Sequence, residues 1–347
     1  MPVRRLDVLD LDHVLDKTRN LWEAARGKNI FITGGTGFFG FWILETFLYI
    51  NDSLNLGVTA YILSRDPASF RLKAPHLALR KELKFIQGDV RTFEIPDVNL
   101  HYVIHAATQS SAKLDVEAPD EMYAAITEGT QHVIDLCNQT GVKKLLFISS
   151  GAVYGKQALT ITKIAENVNP SKESLSNISA YARGKREAEQ LLQDYASTHD
   201  IELKIARCFA FVGPHLPLNT HFAIGNFIRD AMASNPIVIN GDGTPMRSYL
   251  YASDLAIWLW TILFLGANGR AYNVGSDEEI SILDLAHLVR ESISSLSNVT
   301  VLGPSNDNAV RNFYVPSTQR AQIELGLRNY VSLKAAIRLT AQWYYTF

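Results

Sequence analysis

The sequence has few of the features that mark disulfide-linked, metal-binding, membrane or nucleic-acid-binding proteins. Its only two cysteines are Cys137 and Cys208, and neither they nor the scattered histidines show metal-ligand spacing. No apolar run approaches the roughly 18 residues of a membrane span, and the N-terminus lacks the apolar segment of a signal peptide. The formal net charge is −2, without a basic surplus for nucleic acid. We therefore expect a cytoplasmic globular protein with no metal, membrane or nucleic-acid partner.

Short apolar runs that favour strands alternate with helical patterns in the first 207 residues. The runs cover residues 29–32, 58–63, 83–86, 102–107 and 144–149, and residues 122–138 have a helical pattern. Such alternation predicts an α/β fold, a Rossmann-type doubly wound parallel sheet with helices on both faces. Because ligands of these sheets bind at the carboxyl ends of the strands, we expect the functional residues directly after the strands.

The same patterns divide the chain into three predicted regions. Residues 1–27 form an N-terminal helical extension, because the apolar residues between 12 and 25 have helical spacing. Residues 28–207 form a dinucleotide-binding Rossmann domain that also holds the catalytic residues. Residues 208–347, where the alternation loosens and prolines are frequent, form a mainly substrate-binding domain, partly interleaved with the first.

A glycine-rich turn, residues 33–40, separates the first predicted strand from a predicted buried helix. Its glycines are Gly34, Gly37 and Gly40, spaced Gly-x-x-Gly-x-x-Gly. Small residues allow the backbone to approach a pyrophosphate, and the N–H groups of the helix N-terminus face its negative charge. The turn predicts a dinucleotide site, although a tight strand-to-helix turn could have the same glycines without a ligand.

Tyr181 and Lys185 are four residues apart in a helical stretch, which places both on one face. A phenol is a poor base at neutral pH, but a nearby ammonium stabilises the phenolate and lowers its pKa. The tyrosine can then exchange a proton with a sugar hydroxyl while hydride leaves or joins the carbon. Ser149 and Ser150 follow a buried strand, where a hydroxyl could bond the same oxygen or serve only the turn.

With these motifs the chain resembles an extended short-chain dehydrogenase/reductase of the NAD-dependent epimerase/dehydratase family, whose members act on nucleotide sugars. The resemblance covers about residues 28–330 and includes the segments 33–40, 88–90, 105–108, 149–155, 181–185, 207–214, 241–249 and 272–276. It implies that Ser150, Tyr181 and Lys185 are catalytic, with Lys185 also holding the nicotinamide ribose. The cofactor residues it implies are Gly34, Thr36, Gly37, Phe38, Phe39, Gly40, Ser64, Arg65, Asp89, Val90, Ala106, Ala107, Thr108, Tyr181 and Lys185.

Departures from the family pattern narrow the expected reaction. The family's 4,6-dehydratases have an Asp-Glu pair directly after the catalytic residue, where this chain has Gly151 and Ala152. Neither can move a proton, so dehydration is disfavoured, and Ala152 also disfavours sugar-acid decarboxylation. Ala210 and Ile126 stand where asparagine is usual. We therefore expect 4-epimerisation through a transient 4-keto-sugar, with a nucleotide-4-keto-sugar reductase as the alternative, since the same residues serve both.

The residues expected to contact the adenosine ribose leave the choice of cofactor open. NAD-preferring enzymes place an acid at the end of the second strand, where this chain has Ser64 and Arg65, with Asp66 following. Ser64 and Arg65 could accept the 2′-phosphate of NADP, whereas Arg65 could equally be a solvated charge. Because epimerases of this family retain NAD, we expect NAD, with NADP possible.

The substrate residues implied by the resemblance are less specific. Arg247 would bind the substrate pyrophosphate with its forked cation, and Phe222 could equally belong to the core. Relatives form homodimers through the helices that correspond to residues 122–138 and 180–195. The survival of Ser150, Tyr181 and Lys185 argues against a non-catalytic dinucleotide sensor. The full set expected to contact a nucleotide-diphosphate sugar is Ser150, Gly151, Ala152, Ala210, His221, Phe222, Asn226 and Arg247.

Overall fold

The computed structural model describes residues 2–108, 112–157, 161–176, 178–220, 222–293, 296–304 and 312–345. The chain forms two units and passes between them several times. Unit 1 contains residues Met1–Val153, Ile178–Arg207 and Ala256–Tyr272, and unit 2 contains Tyr154–Asn177, Cys208–Leu255 and Asn273–Phe347.

The largest sheet has seven strands in the order β11-β6-β5-β4-β1-β2-β3. Short two- and three-stranded sheets contain the others. In chain order the strands are β1 (Asn29–Thr33), β2 (Thr59–Ser64), β3 (Leu83–Gln87), β4 (Tyr102–His105), β5 (Lys144–Ser150), β6 (Glu202–Cys208), β7 (Phe211–Val212), β8 (Ile237–Ile239), β9 (Met246–Arg247), β10 (Leu250–Tyr251), β11 (Arg270–Val274), β12 (Ile280–Ser281), β13 (Val299–Val301) and β14 (Phe313–Tyr314).

The helices flank these strands, and two further segments, Arg19–Ala25 and Gly151–Tyr154, are 3-10 helices. None of the helices in the described ranges is both long and apolar enough to span a membrane. The α-helices are α1 (Val8–Thr18), α2 (Phe38–Ser53), α3 (Pro67–Lys73), α4 (Pro75–Ala78), α5 (Ala112–Glu117), α6 (Pro119–Thr140), α7 (Lys172–Leu175), α8 (Ala180–Thr198), α9 (Ala223–Met232), α10 (Ala252–Leu265), α11 (Ile282–Ile293), α12 (Gln319–Leu325) and α13 (Leu333–Tyr345).

The predicted Rossmann-type sheet is confirmed, and its strand order locates the ligand edge. Strand β1 pairs in parallel with β2 on one side and with β4 on the other. The order therefore reverses between β1 and β4, which is where sheets of this type bind a dinucleotide. In register, Thr33 at the end of β1 lies beside Leu63 of β2 and His105 of β4.

Local sequence explains the helices that matter for this edge. Helix α2 is buried on nearly every side, as its almost continuous apolar sequence predicts. Helix α6 begins at Pro119, a favoured first residue, and is followed by Gly141 with φ 72°, a left-handed cap that glycine adopts without strain. Helix α8 is capped by Ser179, whose side chain accepts a hydrogen bond from the amide of Ala182.

The N-terminal segment differs from the single helix expected over residues 12–25. Helix α1 begins earlier, at Val8, where Asp7 caps it, and it ends at Thr18. From Arg19 the chain tightens into a 3-10 helix, in which the indole of Trp22 donates to the Thr18 hydroxyl at 3.2 Å. This geometry directs the Trp22 ring to within 4.6 Å of Trp260, measured between ring centroids.

Candidate active site

The glycine-rich turn lies between the end of β1 and the start of α2, as predicted. Gly34 has φ 75°, and a Cβ there would come within 2.6 Å of the Ala106 carbonyl carbon. A Cβ on Gly40 would collide with the backbone of Gly35. Both positions therefore require glycine, because the turn touches the end of β4 and also folds back on itself.

Gly37 is different, because it faces open space. A Cβ there would meet nothing nearer than the Gly34 carbonyl oxygen at 3.8 Å. Gly37 is the N-cap of α2 and offers no side chain to the helix amides, so the N-terminus remains available to an anion. Thr36 is half-buried in the turn, and Phe38 and Phe39 form the first turn of α2. The residues present fit the diphosphate of a bound dinucleotide.

A buried hydrogen-bond chain ties the glycine turn to the end of β4. The Thr33 hydroxyl accepts from the amides of Ala106 at 3.0 Å and Ala107 at 2.8 Å, so its proton is directed to Nδ1 of His105 at 2.9 Å. The other ring nitrogen, Nε2, lies 3.0 Å from the Thr130 hydroxyl of α6. That hydroxyl donates to a carbonyl one turn back in α6, so Nε2 has the proton and the ring is neutral.

Electrostatics agree that the His105 ring is neutral. Burial, together with the positive charge of Lys185, lowers the pKa of His105 to about 3. The predicted cofactor residues Ala106, Ala107 and Thr108 follow directly, half-buried, with the Thr108 hydroxyl donating to the Ala107 carbonyl at 2.7 Å. Sequence reasoning gave no role to His105, because its partners Thr33 and Thr130 are distant in the chain.

At the end of β2, the side chains of Ser64 and Asp66 form hydrogen bonds with nearby backbone amides. The Ser64 hydroxyl is buried and accepts from the Asp66 amide at 3.3 Å. Asp66 caps α3 by accepting from the Ser69 amide at 2.8 Å. Arg65 is exposed between them. Of the three residues considered for the ribose 2′ position, Arg65 is the one that faces solvent without a role in the turn.

The end of β3 contributes Asp89 and Val90, both half-buried. Asp89 accepts from the Arg91 side chain at 2.7 Å, and this ion pair lowers the pKa of the carboxyl. Val90 packs directly over Gly129 of α6, where a Cβ would lie 2.7 Å from a Val90 methyl carbon. The absence of a side chain on Gly129 therefore sets the position of Val90.

The predicted catalytic residues lie on two neighbouring elements of unit 1. Tyr181 and Lys185 share one face of α8, with the Lys185 Nζ 6.0 Å from the centre of the Tyr181 ring. Lys185 is buried, donates to the Ile148 carbonyl of β5 at 2.7 Å and lies 4.6 Å from the Phe147 ring centre. Ser150 is the last residue of β5, two residues beyond that carbonyl.

Besides the Ser179 cap, the first turn of α8 has a second polar contact that sequence reasoning missed. The amide of Tyr181 donates to Asp115 of α5 at 2.9 Å. Beyond Ser150, the 3-10 helix begins with Gly151 and Ala152, and the Ala152 amide donates to the Ser150 hydroxyl at 3.2 Å. Among the described residues, no group of three or more histidine, cysteine, aspartate or glutamate side chains is arranged to hold a metal ion.

Four of the predicted substrate residues that the structure describes belong to unit 2. The Ala210 carbonyl accepts from the Leu250 amide at 3.0 Å. Asn226 is half-buried in α9, with its amide nitrogen donating to the Thr220 carbonyl at 2.8 Å. Phe222 is 39% exposed, so the interpretation of Phe222 as a core residue is wrong. His221 lies outside the described residues.

Arg247 is the charged member of this group. Its guanidinium donates to the carbonyls of Met246 at 2.8 Å and Asn312 at 3.0 Å. Burial lowers its pKa. In the part of unit 2 that the structure describes, no carboxylate forms an ion pair with Arg247, and its guanidinium is hydrogen-bonded to two neutral carbonyls.

Comparison with known proteins agrees with this architecture. Residues 30–275 match the model of the NAD dependent epimerase/dehydratase family. UDP-glucuronic acid decarboxylase 2 of Arabidopsis thaliana is 26% identical over 316 residues, 90% of this chain and 67% of that protein. The dTDP-D-glucose 4,6-dehydratase of Homo sapiens is 25% identical over 331 residues, 91% and 90% of the two chains.

The fold also matches solved structures. The UDP-glucose 4-epimerase of Thermus thermophilus, solved as a complex with NAD, superposes with a TM-score of 0.73 at 24% identity, covering 91% of this chain and 99% of that one. The family model covers most of the chain, and the strand order, glycine turn and Tyr-x-x-x-Lys helix agree with it. The chain belongs to the NAD dependent epimerase/dehydratase family, and is an NAD-dependent enzyme of the extended short-chain dehydrogenase/reductase type.

Proposed function

We propose that the protein is a nucleotide-sugar 4-epimerase that works through a transient 4-keto-sugar. The observation on which this depends is the pairing of Tyr181 and Lys185 on α8, combined with Gly151 and Ala152 after Ser150. The first supplies a base for oxidation of a sugar hydroxyl. Gly151 and Ala152 have no group that can move a proton, so these two positions offer no acid or base for the elimination of water.

In this proposal each side chain has a defined task. Tyr181 removes the proton of the sugar hydroxyl, with the Lys185 ammonium stabilising its phenolate, and returns the proton after the sugar turns over. Ser150 donates a hydrogen bond to the reacting oxygen. A bound NAD would supply the acceptor for the hydride of the sugar carbon and the donor for its return. Gly34, Gly37 and Gly40 would hold its diphosphate, and Ala106, Ala107 and Thr108 would lie along its ribose and nicotinamide.

Arg247 and its neighbours would bind the other half of the substrate. A guanidinium held by the Met246 and Asn312 carbonyls could form two parallel hydrogen bonds to a diphosphate. Phe222 and Asn226 would contact the nucleotide. The names of the curated relatives point to decarboxylases and dehydratases, but at 25–26% identity they do not define the reaction, and this chain lacks the acid pair that dehydration needs.

The experiment is an NMR screen in which the purified protein is incubated with a panel of UDP- and dTDP-hexoses. An epimerase gives a second nucleotide sugar of unchanged mass, with no added NADH consumed. A product lighter by one water or one CO2 would contradict the proposal. Turnover of a 4-keto-sugar only when NADH or NADPH is added would instead identify the reductase.

We also propose that the protein acts as a homodimer. Helices α6 and α8 pack on each other in unit 1, and relatives use the corresponding pair at a two-fold axis. Closed two-fold dimers are the commonest homo-oligomers. Light scattering at micromolar concentration should give twice the mass of 38.7 kDa calculated for the chain, whereas a monomer mass would contradict this.

A further inference from the structure

The catalytic helix and the strand that ends at Ser150 are joined by two successive side-chain contacts. Lys185 of α8 donates to the Ile148 carbonyl at 2.7 Å. One turn later, Glu189 accepts a hydrogen bond from the Ser149 hydroxyl at 2.5 Å. Both α8 side chains are buried. The two contacts precede Ser150 in the strand, so they fix its position relative to α8.

A third element, β6, contributes Arg207. Its Nε lies 3.1 Å from one carboxylate oxygen of Glu189, and a terminal nitrogen lies 2.7 Å from the other. The Glu189 side chain is 7% exposed and that of Arg207 16%. This forked geometry is the strong form of an ion pair. Ser149, Glu189 and Arg207 are hereafter called the Glu189 cluster.

The position of Glu189 on α8 relates the Glu189 cluster to Lys185. Residues four apart on a helix are neighbours, and lysine and glutamate at that spacing attract each other. Glu189 is four residues after Lys185, so the carboxylate has a second possible partner. Its carboxylate contacts the Ser149 hydroxyl and the Arg207 guanidinium. Arg207 neutralises the negative charge of the Glu189 carboxylate, which would otherwise attract Lys185.

We propose that Arg207 is a positioning residue: by holding the Glu189 carboxylate on the β5 side, it keeps the Lys185 ammonium directed to Tyr181. This inference rests on the roles given to Tyr181 and Lys185 in the proposed function. Without Arg207, the buried carboxylate has no matching charge. Lys185, likewise buried, lies one turn before it on the same helix, whereas Arg186 is engaged with the Val153 carbonyl. Lys185 then turns towards Glu189, and the phenolate of Tyr181 loses its stabilising charge.

Other charged or titratable groups near this pair come from each neighbouring element. The His105 ring of β4 is neutral, since its pKa is about 3. Asp115 of α5 accepts from the Tyr181 amide. Helix α6 presents Tyr123, over whose ring Arg183 lies, and α8 itself presents Arg186, which donates to the Val153 carbonyl. Glu189 and Arg207 are the oppositely charged residues of this set that form an ion pair with each other.

The test is the ionisation of Tyr181 itself, which needs neither substrate nor turnover. Phenolate absorbance near 295 nm is measured against pH for the wild type and three variants: Arg207→Met, Glu189→Gln and the double variant. The same proteins with Tyr181→Phe are subtracted, which removes the signal of the other tyrosines. Arg207→Met should raise the pKa of Tyr181 by about 1 to 3 units, the size of a lost neighbouring charge. Glu189→Gln should not raise it, and the double variant should return it to the wild-type value.

The experiment also needs a control variant and a substitute for Arg207→Met. Arg80→Met removes another forked pair of unit 1, with Asp52, and should leave the Tyr181 titration unchanged. Should Arg207→Met fail to fold, Arg207→Gln removes the charge while retaining a donor for Glu189, and should raise the Tyr181 pKa in the same direction. A Tyr181 pKa that stays at the wild-type value in the Arg207 variants, or stays raised in the double variant, would overturn the proposal. An altered reaction in the NMR screen would not, because the titration is independent of the substrate.

Discussion

The two ends of the predicted dinucleotide site are built in opposite ways. At the end proposed for the nicotinamide, Thr33, His105 and Lys185 are all buried, and each is held by hydrogen bonds to other elements. Near the adenosine ribose, Arg65 and Asp66 are exposed, and the Asp66 carboxylate serves the turn in which it lies. A substitution at the first end must alter stability or chemistry, whereas one at the second can alter ligand preference alone. The following predictions test that contrast.

The largest effect is expected from Tyr181→Phe. Loss of a general base lowers turnover by about 10²-fold or more, while the melting temperature and NAD binding should change little, since the ring remains. Steady-state kinetics with the substrate found by NMR measure it. The matched control is Tyr195→Phe on the same helix, whose hydroxyl donates to Asn138 and should not affect turnover. Wild-type turnover in Tyr181→Phe would exclude the tyrosine as the base.

His105 should give the protein an acid-sensitive stability. The pKa of His105 in the folded protein, about 3, lies below the usual histidine value of 6.5, so between these values the unfolded chain binds a proton that the folded chain excludes. The contribution is complete above pH 6.5 and is lost as the pH falls, at up to about 1.4 kcal/mol per pH unit. His105→Asn should be less stable at pH 7.5 but lose less stability on acidification.

Urea unfolding at pH 7.5 and pH 5.0 measures this difference. His199→Asn, a change at an exposed histidine, serves as the control and should follow the wild type at both values. If the wild type and His105→Asn lost equal stability between the two pH values, the buried neutral ring would not be the cause of the acid sensitivity.

The smallest effect on stability is expected from Arg65→Ala, because the side chain is exposed and such substitutions usually change stability by less than about 0.5 kcal/mol. If Arg65 binds a 2′-phosphate, the affinity for NADP should fall by about 1.5–3 kcal/mol, and that for NAD should not. Calorimetric titration of both dinucleotides decides this. Equal losses would place Arg65 on the shared adenosine instead.

The residues that could be predicted from sequence are those whose neighbours in the chain define their role. The strand-turn-helix pattern predicts that Gly34 and Gly40 lie in a tight turn. Helical spacing predicts that Tyr181 and Lys185 share one face of a helix. The strand and helix patterns likewise predicted the Rossmann-type sheet, since they depend on contacts within a few residues.

Contacts between distant segments could not be predicted in this way. Thr33 and His105 are 72 positions apart, and the Glu189 cluster joins three elements. The interpretation of Phe222 failed for the same reason, because its hydrophobicity does not show whether another element covers it. Helix α1 ends at Thr18, whose hydroxyl accepts a hydrogen bond from the Trp22 indole, and apolar spacing does not indicate this contact.

The packing of Trp22 makes the N-terminal segment an internal part of unit 1, although the family match begins only at residue 30. Its indole lies 4.6 Å from Trp260 and 5.2 Å from Phe264, and Trp22 and Trp260 are fully buried. Undocking of the segment would bring these indoles into water and shift their fluorescence to longer wavelength. The wavelength of tryptophan emission therefore measures whether the N-terminal segment is packed on unit 1, and this measurement does not depend on the chemistry at Tyr181.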